Sequence, residues 1–231
     1  MNEPVRLNKH LAHTIGVSRR EADMYIEQGR VLVNGKIATL GNVIQPGRDT
    51  ITVEGTNLTG ETKRYTHLLL NKPVGYICSR KQQGLTPTVY SLIPRQYHHL
   101  KVAGRLDKDS CGLVLLTDDG DLIFKLTHPK FSKEKIYHVG LNKPLTPEDK
   151  VKIESGVELE DGASKFTVTK LSEAVNVKNK PNMYKVVMSE GRNRQIRRTF
   201  GSLRYMVTHL ERQAFGPYKL SQLNNKPYLQ I

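Results

Sequence analysis

Asn34-Gly35, set between Val31-Leu32-Val33 and Lys36-Ile37-Ala38, leaves this chain less freedom than any other segment. A two-residue turn joining adjacent antiparallel strands needs positive φ at both central positions, and Asn-Gly adopts them with little strain. A hairpin is predicted there. Shortly before it, Ser18-Arg19-Arg20-Glu21 has the Ser-x-x-Glu spacing of a capping box, which predicts a helix from that point to about Glu27, stopped by Gly29. Leu7, Leu11 and Ile15 fall on one face of an earlier helix, and Thr50-Ile51-Thr52-Val53 alternates as a further strand. The first 55 or so residues therefore read as a helix-helix-hairpin unit.

Thr56 to Thr66 is polar and contains a glycine, which is linker chemistry. The expected division is a small domain over residues 1–58 and a larger one over 64–231, a size pairing that 231 residues accommodate. The larger part reads as mixed α+β. His67 to Leu70 runs through Asn71-Lys72-Pro73 into Val74 to Cys78, and Val114-Leu115-Leu116 forms a central strand. Thr117-Asp118-Asp119-Gly120-Asp121 caps a helix over Leu122 to Leu126, because carboxylates suit a positive helix end. Further strands are predicted at Tyr137 to Leu141, Phe166 to Thr169 and Met183 to Met188, and a helix from Asn193 to Phe200.

Charge narrows the class of partner. The chain carries +14, and residues 1–55 hold seven Lys or Arg against six acids, so +13 belongs to the remainder. Such a surface draws phosphates and releases their counterions, which makes nucleic acid the leading ligand. No run nears the ~18 consecutive apolar residues of a membrane span, and the Met1-Asn2-Glu3-Pro4 start has no secretory leader, so a cytoplasmic protein with no membrane partner is expected. Cys78 and Cys111 stand far apart with no His or Cys at ligand spacing, so both read as reduced thiols and no metal site is expected.

Three motifs carry the chemistry. Gly104-Arg105-Leu106-Asp107-Lys108-Asp109-Ser110-Cys111-Gly112-Leu113 holds a carboxylate on a basic loop that leads into an apolar strand. Arg105 and Lys108 draw phosphates to the loop and favour the ionised, nucleophilic form of Asp107. Asp109 is the weaker candidate, its place before Ser110 and Gly112 reading as turn hydrogen bonding. Lys133-Glu134-Lys135-Ile136-Tyr137 is the second motif, and Glu190-Gly191-Arg192-Asn193-Arg194-Gln195-Ile196-Arg197-Arg198 the third, a dense cationic partner. In the N-terminal unit Arg6, Lys9, Arg19 and Arg20 sit on and between the two helices, where one face can be cationic. The residues alone reach an RNA-binding protein with a candidate carboxylate.

Residues 5–55, with Ser-Arg-Arg-Glu-Ala-Asp and Val-Asn-Gly-Lys, resemble the S-four-like, or alpha-L, RNA-binding module. The three motifs in order, behind that module, resemble the pseudouridine synthases, specifically the RsuA-like ribosomal RNA branch, over nearly the whole chain. The resemblance implies a larger domain built on a mixed, mainly antiparallel sheet with flanking helices, and a monomer that turns uridine into pseudouridine in ribosomal RNA, free or in an assembling subunit, without a cofactor. It implies Asp107 as the nucleophile, Tyr137 against the uracil ring, and Arg197 paired with Asp107. Arg105 would hold a nucleotide swung out of its helix, and Lys72, Arg192, Arg194 and Arg198 would contact phosphates. At the C-terminus Asn224-Asn225-Lys226-Pro227-Tyr228-Leu229 lacks a glycine of the family's last strand, so that sheet edge is expected to be built differently.

Two other readings stand beside this one. A ribosome-assembly factor could use the same basic surface without catalysis. A metal-dependent nuclease could use Asp107 and Asp109 with Asp118, Asp119 and Asp121, although arginines and lysines interleave the first pair and the second cluster suits a helix cap.

Overall fold

The computed structural model describes residues 3–58, 65–171 and 182–231, so residues 59–64 of the expected linker lie outside the described residues. The chain divides into two compact units, Met1–Arg64 and Tyr65–Ile231.

In the first unit β1 (Val5–Arg6) leads into α1 (Leu7–Thr14), and α2 (Arg19–Glu27) follows. The Glu21 amide donates to Ser18 Oγ at 3.1 Å and the Ser18 amide to Glu21 Oε2 at 2.7 Å, the two reciprocal bonds of a capping box. Strands β2 (Val31–Val33), β3 (Lys36–Ile37), β4 (Val43–Ile44), β5 (Ile51–Val53) and β6 (Thr56–Asn57) complete it. The β2–β3 turn holds Asn34 and Gly35 at φ 51° and 78°, the geometry the dipeptide predicts. Leu7, Leu11, Ala22, Ile26, Val31 and Ile51 form the core between helices and sheet.

The second unit is one mixed sheet with helices. Its strands are β7 (His67–Lys72), β8 (Lys101–Ala103), β9 (Cys111–Thr117), β10 (Lys135–Leu141), β11 (Thr167–Lys170), β12 (Met183–Met188), β13 (Val207–Phe215), β14 (Tyr218–Lys219) and β15 (Tyr228–Gln230). They run in the order β11-β12-β10-β13-β9-β7-β15, with β14 on β13 and β8 on β9. Every pairing is antiparallel except β13 with β9. The helices are α3 (Gly120–Thr127), α4 (Pro147–Ser155) and α5 (Gln195–Ser202).

The apolar runs of β7 and β9 follow from burial on both faces. Leu68, Leu70, Val114 and Leu116 pack with Val139 and Leu210, while Leu69, Leu113 and Leu115 pack with Leu126 and Phe215. Each fully buried leucine contributes roughly 1.5–3 kcal/mol. Past Pro73 the chain leaves the ladder: Gly75 turns at φ 98°, and only Ile77 bridges, to Thr88, where residues 74–78 had read as a continuation. At the C-terminal edge Asn224 and Asn225 take the left-handed turn, at φ 46° and 65°, and β15 then pairs with β7. Asparagine tolerates that conformation better than other side chains, so the edge forms without the expected glycine.

Candidate active site

The β8–β9 connection, residues 104–110, is pinned from several sides. Gly104 turns at φ 68° and packs where a Cβ would lie 3.3 Å from the Phe215 ring. The Ser110 amide donates to the Asp107 carbonyl at 3.1 Å, the Gly75 amide donates to that of Lys108 at 2.7 Å, and Lys72 Nζ donates to that of Ser110 at 2.6 Å. These bonds aim the Asp107 side chain, 34% exposed, into an open cavity of about 800 Å³. Tyr137 of β10, buried to 8% exposure, lines the same cavity, as do Arg105, Arg192, Arg194 and Arg212.

The cationic motif reaches this loop through the start of α5. Arg194 precedes the helix in the left-handed region at φ 46°, a conformation a long side chain rarely adopts without surrounding restraint. Its guanidinium donates to both carboxylate oxygens of Asp109, at 3.1 and 2.9 Å, and lies 3.6 Å from Asp107 Oδ2. Arg194 first, and then Arg197, hold the Asp109 carboxyl below the usual carboxylate range.

Two expectations are corrected here. Arg197 does not pair with Asp107: it donates to the carbonyls of Val207 and Asp109, at 3.0 and 2.9 Å, and its Nε lies 3.4 Å from Asp109 Oδ2. It braces the loop's backbone, and Arg194 is the cation beside Asp107. Lys72 is not a surface phosphate contact: its side chain is fully buried, its ammonium bonds to the Pro73 and Ser110 carbonyls, and burial pulls its pKa below the ordinary lysine value.

Arg192 and Arg198 are engaged within the unit. Arg198 grips both oxygens of Asp161 at 2.8 and 2.7 Å, while Arg192 donates to the carbonyls of Asp161, Gly162 and Ala163. Arg105 is exposed. In the N-terminal unit Arg6, Arg19 and Arg20 are exposed and Lys9 half-buried. The acids of the nuclease reading serve other ends: Asp119 caps α3 through the amides of Asp121 and Leu122, and Asp118 accepts from the Thr66 amide.

Sequence reasoning missed Arg212 and Lys135 as cavity residues. Arg212 is nearly fully buried, donates Nε to the Leu113 carbonyl at 2.8 Å, lies 4.7 Å over the Phe215 ring, and keeps one terminal nitrogen without a hydrogen bond. Burial first, and Arg212 second, pull the Lys135 pKa down. The period-2 alternation of Leu210, Arg212 and Ala214 is the signal that could have shown Arg212 to face inward.

Comparison with known proteins bears on this geometry. Residues 66–202 match the model of RNA pseudouridylate synthases, and residues 5–49 match that of S4 domains. The chain is 39% identical over 218 residues to the dual-specificity RNA pseudouridine synthase RluF of Escherichia coli strain K12, covering 94% of the chain and 72% of that protein. It is 35% identical over 223 residues to the ribosomal large subunit pseudouridine synthase B of Bacillus subtilis, covering 95% and 88%. With the protein of that name from Pseudomonas aeruginosa it is 36% identical over 220 residues, 94% of the chain but 56% of the relative's length. Among solved structures, a crystal structure of a pseudouridylate synthase aligns over 98% of this chain and 96% of its own, with a TM-score of 0.65 and 31% identity.

Proposed function

The chain belongs to the RNA pseudouridylate synthase family, and from that premise we propose that it isomerises uridine to pseudouridine in ribosomal RNA with Asp107 as the nucleophile. The observation that carries the reading is the convergence of Asp107, Tyr137 and Arg194 on one cavity. The Asp107 carboxylate opens to that cavity with the Arg194 guanidinium 3.6 Å from its Oδ2, so an oxygen is presented for attack on a nucleotide bound there. The target nucleotide leaves its stack to reach it, with Arg105, exposed on the same loop, to hold it outside the helix.

In this reading an oxygen of Asp107 bonds to C1′ as the bond from C1′ to N1 breaks, uracil rotates, and C5 then bonds to C1′ as the bond to Asp107 breaks and frees the carboxylate. The C5 proton leaves, with Tyr137 against the ring to assist, and N1 ends protonated. The product has the atoms of the substrate and no net redox change, so no cofactor is required. Arg197, bonded to the Asp109 carbonyl of the loop and the Val207 carbonyl of β13, keeps Asp107 in reach without touching it. Residues 1–58 serve as an RNA-binding domain and residues 64–231 as the catalytic domain, in a monomer working on ribosomal RNA or an assembling subunit in the cytoplasm.

The test is release of tritium from ribosomal RNA labelled at C5 of uridine. The wild-type chain should release it, and Asp107→Asn should not, while binding the RNA with affinity within about threefold, since one small group changes among many phosphate contacts. Retention of a tenth of the rate by Asp107→Asn would remove Asp107 from the chemistry.

A further inference from the structure

Strand alternation puts a second cluster on the side of the sheet opposite Leu210 and Arg212. Cys111, at the start of β9, faces Glu211 of β13 in the parallel register, and His209 lies two residues before Glu211, hence on the same face. Cys111 Sγ, a ring nitrogen of His209 and a carboxylate oxygen of Glu211 all lie within 4.8 Å of one another. His209 Nε2 and Glu211 Oε2 are 3.8 Å apart, too far for a hydrogen bond. That spacing is close to the ~3.4 Å edge that a tetrahedral ion with ligand bonds of about 2.1 Å imposes on its nitrogen and oxygen ligands.

Independent features point to an occupant. His209 Nε2 is buried and makes no hydrogen bond, an unusual state for a nitrogen that either donates or accepts. Gly140 faces His209, where a Cβ would come within 3.1 Å of the His209 Cβ, so the missing side chain leaves the imidazole its place. Gln213 Nε2 donates to Glu211 Oε2 at 2.7 Å and orients the carboxylate from behind, as partners of metal-binding carboxylates do. His138, the register partner of Glu211 on β10, borders the cluster on one side, with Lys185 one strand further out. Cys111 is in no disulfide.

We propose that Cys111, His209 and Glu211 form a zinc site that fastens the start of β9 to β13. The donor set decides the ion: a thiolate with an imidazole and a carboxylate suits zinc, whereas magnesium and calcium take oxygen ligands. Thiolate and carboxylate together neutralise its charge. The place gives it a role, for only two residue pairs, Glu211 with Cys111 and Arg212 with Gly112, join these strands, and the loop bearing Asp107 ends immediately before Cys111. With three protein ligands the fourth tetrahedral position falls to water; the ion acts as a clamp behind the reactive loop, and the inference stands whether or not the proposed reaction is correct. Sequence spacing hides such a site because its ligands come from two strands about 100 residues apart.

The experiment uses the full-length chain without a tag. Titrated with zinc against a chromophoric chelator, it should bind one equivalent. Cobalt(II) in its place should give a near-ultraviolet thiolate charge-transfer band with the visible bands of a tetrahedral centre. Cys111→Ser should abolish that band, and His209→Asn and Glu211→Gln should each weaken zinc binding beyond the ~10–100-fold that loss of a supporting partner costs. A wild-type chain that cannot compete with the chelator, or a cobalt complex without the thiolate band, would overturn the proposal without reliance on any variant's folding. Wild-type zinc affinity in the three variants would overturn it equally.

Discussion

Arg194 and Arg197 lie three residues apart and hold one loop differently, the first by two hydrogen bonds to the Asp109 carboxylate and the second by a hydrogen bond to the Asp109 carbonyl, with its Nε alone near that carboxylate. Their losses should therefore differ in kind. Arg194→Met should lower kcat for tritium release by about tenfold or more, roughly 1.4 kcal/mol of barrier, and stability only by the ~0–1 kcal/mol of a partly exposed ion pair with Asp109. Arg197→Met should lower the unfolding midpoint further, because the two bonds by which one guanidinium ties the Val207 carbonyl of β13 to the Asp109 carbonyl of the loop go with it. Equal effects of the two on both readouts would erase the distinction. Asp109 adds a pH dependence whose sign is set by its depressed pKa. Its stabilisation is full above the unfolded carboxylate value, near 3.9, and disappears as pH falls through the lower folded value. The gap in urea midpoint between wild type and Asp109→Asn should thus hold constant above about pH 5 and narrow towards pH 3. A gap that ignores pH would mean that the charge of Asp109 contributes nothing.

The elements that the sequence announced are those whose local chemistry has one outcome. Ser18 with Glu21 caps a helix, Asn34-Gly35 turns a hairpin, and leucines buried on both faces make β7 and β9 continuous apolar runs. Strand β13 was not legible, because Arg212 interrupts the apolar face of Leu210 and Ala214 that lines the cavity, while His209, Glu211 and Gln213 make the face with the proposed ion site polar. Helix α4 was hidden for the opposite reason: among its side chains only Ile153 is buried, so no apolar stripe marks it. In the site, the three motifs were legible but the pairing of arginine with aspartate was not, since it depends on the left-handed turn at Arg194. The parallel contact of β9 with β13 rests on an equally local feature. Gly112 has φ 99°, and a Cβ there would lie 2.5 Å from the Arg212 carbonyl oxygen and 2.7 Å from its nitrogen, both backbone atoms that cannot step aside. Gly112→Ala should lower the unfolding free energy of residues 65–231 by about 3 kcal/mol and displace the reactive loop. A change below about 0.5 kcal/mol would mean the two strands separate easily.

For the whole molecule the division of charge carries the argument. The second unit holds nearly all the net positive charge, with Arg192, Arg194, Arg197 and Arg198 bonded inside it, and the first unit, near neutrality, also exposes Arg19 and Arg20 at the start of α2. Net charge by residue range therefore misjudges where phosphates can be met. If residues 1–58 supply RNA contacts, Arg19→Ala with Arg20→Ala should weaken binding to ribosomal RNA uniformly across sequences and make the plot of log affinity against log salt shallower by about 1 to 2 units. The rate of tritium release at saturating RNA should stay at the wild-type value, because neither residue belongs to the loop that bears Asp107. Should affinity and slope both remain at wild-type values, the +12 of the second unit suffices for binding, and the first unit's role must lie in choosing the uridine, which a survey of modified positions in cells carrying the double variant would then reveal as altered.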